Sequence, residues 1–398
     1  MRNAFARVMG IVVIGVVFAA CGGGGGGGTK LSGSSLTPAT ADVVATSPPA
    51  SVVTGTPATV ATPAALSAAD ATRVASVLAA SQRADGSIPY TATVVNPYFA
   101  NIAAIGALHA GATGTNVRAY IAWYVLRSRD ANPWGIAGAI TDYTILANGT
   151  LQTTGEADSI DSYAATFLTL VATAWRNGDA PTRAYVQSLR SDVERIASAI
   201  DAVTDTDGLT WALPTYRFKY VMDQSEVYEG LNDLAIVRSE AYGDAAGALA
   251  AQQHAATIGA AITGTFWNAG RGTFAVAIDA TGTPSWPNLG TWSDQMTQLA
   301  PILHGAISPS SPVATGVYAA FNAAFPSWTA LAKPDQYPWA STAFVALQMN
   351  DTMRATAYRL AADAQYGPSY GYPWYCAESG WYLRALDGLA APQTIAEL

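Results

Sequence analysis

From Leu66 to Leu389 apolar residues recur every three to four positions through Ala-rich stretches, the spacing that lines one face of an α-helix. The pattern predicts twelve helices, over 67–82, 98–111, 115–129, 158–177, 181–203, 224–241, 244–268, 294–305, 311–324, 338–349, 351–365 and 376–389. Their connections alternate in character. Links that follow an even-numbered helix are short, as at Gly111-Ala112-Thr113-Gly114, Asn177-Gly178-Asp179 and Ala241-Tyr242-Gly243. Links that lead into an even-numbered helix are long and rich in aromatics, Gly and Pro: 83–97, 130–157, 204–223, 269–293, 325–337 and 366–375. Long loops in compact domains usually carry function. An even count predicts six helical hairpins. If they close into a ring, all six long loops share one end with the N-termini of helices 2, 4, 6, 8, 10 and 12. No repeat of solenoid length is visible.

The first 63 residues follow no such pattern. Arg2 and Arg7, the apolar run Val8 to Phe18 and the small residues Ala19-Ala20 describe an export signal over 1–20. That run is shorter than the roughly 20 apolar residues a spanning helix needs. Phe18-Ala19-Ala20-Cys21 resembles a bacterial lipobox, with Phe in place of the usual Leu. The resemblance implies a lipidated Cys21 as the mature N-terminus. It also implies membrane attachment through that anchor in the cell envelope, at a bacterial outer membrane or cell surface, on the periplasmic or extracellular side. Gly22 to Gly28 and a Thr/Ser/Pro/Ala-rich stretch follow, a composition that cannot offset the entropy of ordering, so 21–65 reads as a disordered tether. The folded domain is placed at 66–392.

Composition narrows the chemistry. Half of the 398 residues are hydrophobic and 12% are charged, which suits a large buried core and not a disordered chain. The formal charge is −8 and no Lys/Arg stripe is present, so no nucleic acid is expected as partner. Three His and two Cys are too few for a zinc site, a disulfide framework or a redox pair. Chemistry without metal or cofactor falls to carboxylates.

Carboxylates sit where even helices begin. Helix 4 opens with Asp158 and Asp161, three apart and on one face, and helix 6 with Asp223 and Glu226 in the same relation. Helix 8 opens with Asp294 and helix 12 with Glu378; helix 2 brings Asn96, Tyr98 and Asn101, and helix 10 brings Trp339. Acids favour the first turn of any helix, and Asp223 with Glu226 fits a capping box. Against capping alone, the same loops are crowded with Tyr90, Trp134, Trp211, Tyr216, Trp286, Trp292, Trp328, Trp374 and Tyr375. Flat aromatic faces match the apolar faces of sugar rings, and carboxylates beside them describe a saccharide cleft.

The helix count, the loop asymmetry and these acids resemble the six-hairpin glycosidase superfamily. The resemblance implies an all-α fold, an (α/α)6 toroid with the even helices inside and a cleft built by the long loops. Glucoamylase-type members place an acid Glu in the loop leading to helix 6 and a base Glu before helix 12. Asp223-Gln224-Ser225-Glu226 and Cys376-Ala377-Glu378-Ser379 match those places, although the consecutive Trp-Glu-Glu of those enzymes is absent. The acid is therefore Glu226 or Asp223, and the base Glu378. Other members place a key Asp at the start of helix 4, here Asp158 or Asp161, to hold hydroxyls or position water. Tyr98, Asn101, Tyr163, Trp211, Tyr228, Trp292, Asp294, Trp339, Trp374 and Tyr375 are the expected sugar contacts. The implied activity is hydrolysis of an oligo- or polysaccharide. A gap of about 6.5–9.5 Å between the carboxyls admits a water and gives inversion, the expected outcome, and about 5–5.5 Å gives a covalent intermediate.

Two other readings stand beside it. A polysaccharide lyase on a related toroid would recruit Tyr98, Asn96, Asn101, Arg217 and Lys219 around a uronate, and a glycan-binding lipoprotein would use the same aromatics without turnover. Asp205-Thr206-Asp207-Gly208 has too little of a calcium loop and reads as a turn. His109 and His254 read as packing residues, and His304 as a helix end.

Overall fold

The computed structural model describes residues 63–111 and 115–390, which belong to the compact unit Thr62–Leu398. The signal over 1–20, Cys21 and most of the tether lie outside the described residues. Among those described, no helix is long and apolar enough to cross a membrane.

Thirteen α-helices fill the described residues: α1 (Pro63–Ser81), α2 (Pro97–His109), α3 (Val117–Arg127), α4 (Ile160–Asn177), α5 (Ala180–Ser188), α6 (Arg190–Ala202), α7 (Val221–Ile236), α8 (Ala245–Ala261), α9 (Trp292–Leu303), α10 (Pro312–Ala324), α11 (Ser341–Gln348), α12 (Thr352–Tyr366) and α13 (Cys376–Ala390). The even positions of the sequence pattern are α2, α4, α7, α9, α11 and α13. Each packs on the next, and α13 packs back on α2, so the six close into an inner ring. The remaining helices lie outside it, with α1 against α13, α6 against α4, α8 against α7 and α12 against α11. The result is an (α/α)6 toroid.

Two seams of the ring rest on glycine. A Cβ on Gly106 of α2 would lie 2.3 Å from the Gly380 carbonyl oxygen of α13, and one on Gly230 of α7 would lie 2.6 Å from that of Ala165 in α4. A helical glycine costs about 1 kcal/mol relative to alanine. Here it lets backbones meet where the ring must close.

The structure corrects the helix pattern in three places. The segment over 181–203 is two helices, α5 and α6, broken at Leu189. The segment over 244–268 ends α-helical structure at Ala261, passes through a π-turn over Ile262–Phe266 and enters a strand at Trp267. The segment over 338–349 starts late, at Ser341, because Trp339 takes a left-handed φ of 58°. The long loops also contain short antiparallel strands. β1 (Val94–Val95), β2 (Tyr143–Ile145) and β3 (Leu151–Thr153) form one sheet; β4 (Phe218–Tyr220), β7 (Ala277–Asp279) and β8 (Pro284–Ser285) form another. β5 (Trp267–Asn268) pairs with β6 (Thr273–Phe274). These sheets brace the loops that enter α2, α4, α7 and α9.

Candidate active site

Side-chain caps start five of the outer helices and fail for most inner ones. Asn116, Asp179, Asp244, Ser311 and Asp351 each accept a backbone N–H at the start of α3, α5, α8, α10 and α12. In the inner ring Asn96 caps α2, but α4, α7, α9 and α11 have no side-chain cap bond. The Asp223–Glu226 capping box does not form. The acids at these helix starts are spent on other contacts.

One wall of the ring mouth comes from α4 and α7. Asp161 and Glu226 are 0% and 2% exposed, and Asp223 is nearly as buried. Asp161 accepts from the Thr210 hydroxyl at 2.6 Å and from the Ser162 N–H at 2.9 Å. Burial, with the Glu226 charge adding to it, still pushes its pKa up to about 7. Asp223 is driven well above the carboxylate range by burial and then by Asp161, Glu226 and Asp158. Glu226 accepts from the Tyr98 hydroxyl of α2 at 2.5 Å and has His304 Nε2, just past α9, at 3.8 Å. α2 is not adjacent to α7 in the ring, so reaching Tyr98 requires the carboxylate to point into the lumen. Burial raises its pKa, and His304 and the Tyr98 bond oppose that rise. Its Oε2 has no hydrogen-bond partner among the described residues. Asp158 lies exposed at the rim.

The other wall is α13 with the loop before α11. Glu378, 2% exposed, accepts the Trp339 N–H on Oε1 at 3.1 Å and the Ala340 N–H on Oε2 at 2.6 Å. The left-handed φ of Trp339 followed by right-handed Ala340 presents two successive N–H groups, an anion-holding nest at the start of a neighbouring helix. Burial nevertheless lifts Glu378 to about 7, with the two N–H groups and Lys333 acting against it. α7 and α13 stand three positions apart in the ring of six, so Glu226 and Glu378 belong to opposed helices. Tyr98 and Tyr375 lie between them, Tyr98 within the field of Glu226 and Tyr375 within that of Glu378.

The remaining expected contacts divide. Trp339 is partly exposed, and its indole N–H donates to Asp335 at 2.7 Å. Trp211 is partly exposed and carries Lys219 over its ring at 4.2 Å. Tyr163 is buried, and its hydroxyl joins Asn96 and Asp142 in a bonded triangle that fixes the starts of α2 and α4. Five other expected contacts have partners within the fold or lie away from the mouth. Asn101 is a buried strut: its amide donates to Tyr163 O and Thr166 and accepts from Tyr120. Asp294 accepts the Asn288 N–H at 2.6 Å and staples its own loop. Trp292 packs on Phe321 and Phe325. Trp374 packs on Tyr366, Tyr370 and Tyr382 and donates to Ser379. Tyr228 lines a cavity at the other end of the ring. An aromatic beside a long loop fills the layer between rings as readily as it faces the mouth.

The turn at Asp205-Thr206-Asp207-Gly208 holds a side chain: Lys219 donates to Asp205 at 2.7 Å and Asp207 at 2.6 Å. Four residues escaped the sequence reading as site groups. Asp142 lies mid-loop without a helix-start pattern; burial takes it to about 7 against bonds from Tyr163 and Asn96. His304, Glu229 and Arg384 meet under Glu226, and only the tertiary approach of α9 and α13 to the middle of α7 brings them together.

No family model matches the chain, and no curated protein matches it in sequence. Solved structures do match in fold. A wild-type glycosidase superposes with a TM-score of 0.58 at 16% identity, covering 82% of this chain and 97% of its own. A glycosidase variant in complex with glucose gives 0.57 at 17%, with the same coverage. A rhamnosidase from Klebsiella oxytoca with rhamnose bound gives 0.55 at 13%, over 83% of this chain and 64% of that one. The chain has the fold of the six-hairpin glycosidases.

Proposed function

We propose that this chain is a glycoside hydrolase that cleaves an oligo- or polysaccharide by carboxylate acid/base catalysis with inversion. The observation that carries the reading is the pair of buried carboxylates, Glu226 and Glu378, on opposed inner helices at the loop-rich end of the ring. Hydrolysis of an acetal needs one carboxyl to protonate the leaving oxygen and a second to draw the proton from water on the opposite face of the sugar. Glu226, with Asp223 beside it, is the acid. Its lumen-facing carboxyl sits among Asp161 and Asp223, and a crowd of buried like charges keeps protons bound. Glu378 is the base, its two N–H donors favouring the charged form. Neighbouring inner helices about 8–10 Å apart place opposed helix axes roughly twice that distance apart. That span between opposed helices has room for a sugar and a water, which supports inversion.

A groove of about 620 Å³ beside the first turn of α13, lined by Tyr90, Tyr372 and Tyr375, supports a substrate longer than one sugar. Lys219 is tied to Asp205 and Asp207, and Asn96 and Asn101 are tied within the fold, so three of the groups a lyase would recruit are engaged. The lipobox-like Cys21 and the signal before it support an exported, membrane-anchored enzyme. Incubation with a panel of polysaccharides is the test. New reducing ends, released first as the inverted anomer, are expected. An ultraviolet-absorbing unsaturated end would establish a lyase, and retention of glycan without product would establish a binder.

A further inference from the structure

Beneath Glu226 stands a titratable group that the acid/base pair leaves unused. His304 is 6% exposed. Its Nε2 is 3.8 Å from Glu226 Oε1, and its Nδ1 is 2.5 Å from Glu229 Oε2. Glu226 and Glu229 are three residues apart on one face of α7, so the imidazole bridges two carboxyls of a single helix. The other oxygen of Glu229 lies 3.7 Å from Arg384, whose buried guanidinium is held over the Phe344 and Trp381 rings at 4.4 and 4.6 Å. Burial tends to raise the pKa of Glu229, but the His304 bond and the Arg384 charge outweigh it and hold the group below its ordinary value. An ionised Glu229 can only accept, so it takes the Nδ1 proton and leaves Nε2 turned toward Glu226.

We propose that His304, oriented by Glu229, is a positioning residue that shares a single proton with Glu226 once a side-chain rotation closes the 3.8 Å between Nε2 and Oε1 to hydrogen-bond distance. The proton resides on Nε2 beside a Glu226 carboxylate, or on Glu226 facing the Nε2 lone pair. In the second state the proton is ready for the leaving oxygen. Once it is donated, that oxygen keeps the bonding electron pair and its new proton, and the pair is one proton short. The proton that Glu378 takes from water returns to solvent, and one solvent proton restores the pair. On the side of His304 away from the mouth lies a polar cavity of about 730 Å³, lined by Glu229, Asp233, Arg176 and Arg384. It keeps solvent within reach of the pair while a sugar covers the mouth. The other ionisable groups facing Glu226 are Tyr98 from α2, Asp161 from α4 and Asp223 of α7.

The role in turnover rests on the hydrolase reading; the shared proton does not. The test follows the Glu226 carboxyl by carbon-13 NMR in full-length protein labelled at glutamate side chains, with Glu226→Gln to assign it. In His304→Gln the carboxyl should titrate higher by roughly one pH unit, as loss of an opposite charge at this range implies. The alkaline limb of kcat/KM should follow it. An unmoved titration in folded His304→Gln overturns the proposal. Nitrogen-15 NMR of the three histidines supplies a readout on the unmutated protein. His304 carrying its neutral-form proton on Nδ1, and losing that preference in Glu229→Gln, supports the proposal; a proton on Nε2 alone overturns it. A shifted carboxyl in a protein that cleaves no glycoside keeps the shared proton and removes only the hydrolase.

Discussion

The two walls of the mouth bury the same functional group in opposite surroundings. On the α4–α7 side Asp161, Asp223 and Glu226 crowd together; the Glu226 charge adds to burial in keeping protons on Asp161 and Asp223, while His304 and Tyr98 oppose the rise at Glu226 itself. On the α13 side Glu378 stands apart from that cluster, with a backbone N–H on each oxygen. Like charges favour the neutral form and N–H donors the ionised form, so one residue type meets two electrostatic settings, although at Glu378 burial outweighs the donors. Position at a helix start does not predict the setting, because Asp161 and Asp223 on one wall and Glu378 on the other all occupy first turns. What separates them is whether the helix beside each offers a second acid or a free amide.

The strongest way to break this comparison is to remove each carboxyl. Glu226→Gln and Glu378→Gln should each lower kcat by about 10²–10⁴, the usual worth of general acid or base, with helical circular dichroism unchanged. Near-normal turnover in both would end the acid/base assignment. Next in size are the seams that hold the walls in register. Gly106→Ala, where α2 meets the Glu378 helix, and Gly230→Ala, between α4 and α7, should each destabilise by about 1–3 kcal/mol in urea unfolding, since backbone atoms cannot yield to a methyl group. Loss of turnover ahead of unfolding in only one of them would show which wall tolerates less displacement.

pH sharpens the contrast. With Glu378 lifted to about 7, activity should fall as pH drops below that value and the base takes up a proton. Asp223 is driven well above the carboxylate range and so stays neutral, and Asp223→Asn, which matches that neutral form, should leave the alkaline limb where it is. The smallest effect is on stability. Asp142, Asp161 and Glu378, each raised by burial to about 7, bind protons that the unfolded chain has already released above its ordinary carboxyl pKa near 4. Their contribution is full below about pH 4 and is lost as pH rises through 7. The melting temperature should therefore decline between about pH 4 and 7, and Asp161→Asn should flatten the decline.

The six inner helices, the inner and outer assignment and the loop-rich end were legible in the sequence because they rest on local periodicity and loop length. The break at Leu189 was not, since the apolar spacing runs through it, and neither were strands of two or three residues inside loops. Glu226 and Glu378 could be picked out as acids at inner-helix starts among aromatic loops. Which acids were caps could not, because capping potential is local while its use depends on neighbours. Glu378 meets the N-terminus of α11, not of its own helix. Trp374 and Trp292 were indistinguishable by type and position from exposed aromatics. His304 was hidden for a related reason: its partners lie on α7, some 75 residues away in sequence.

Closure of α13 onto α2 gives one seam two duties. The contact that seals the inner ring also holds the helix that carries Glu378. A disturbance that unlatches α13 therefore opens the ring and draws Glu378 away from the Trp339 and Ala340 amides in a single event.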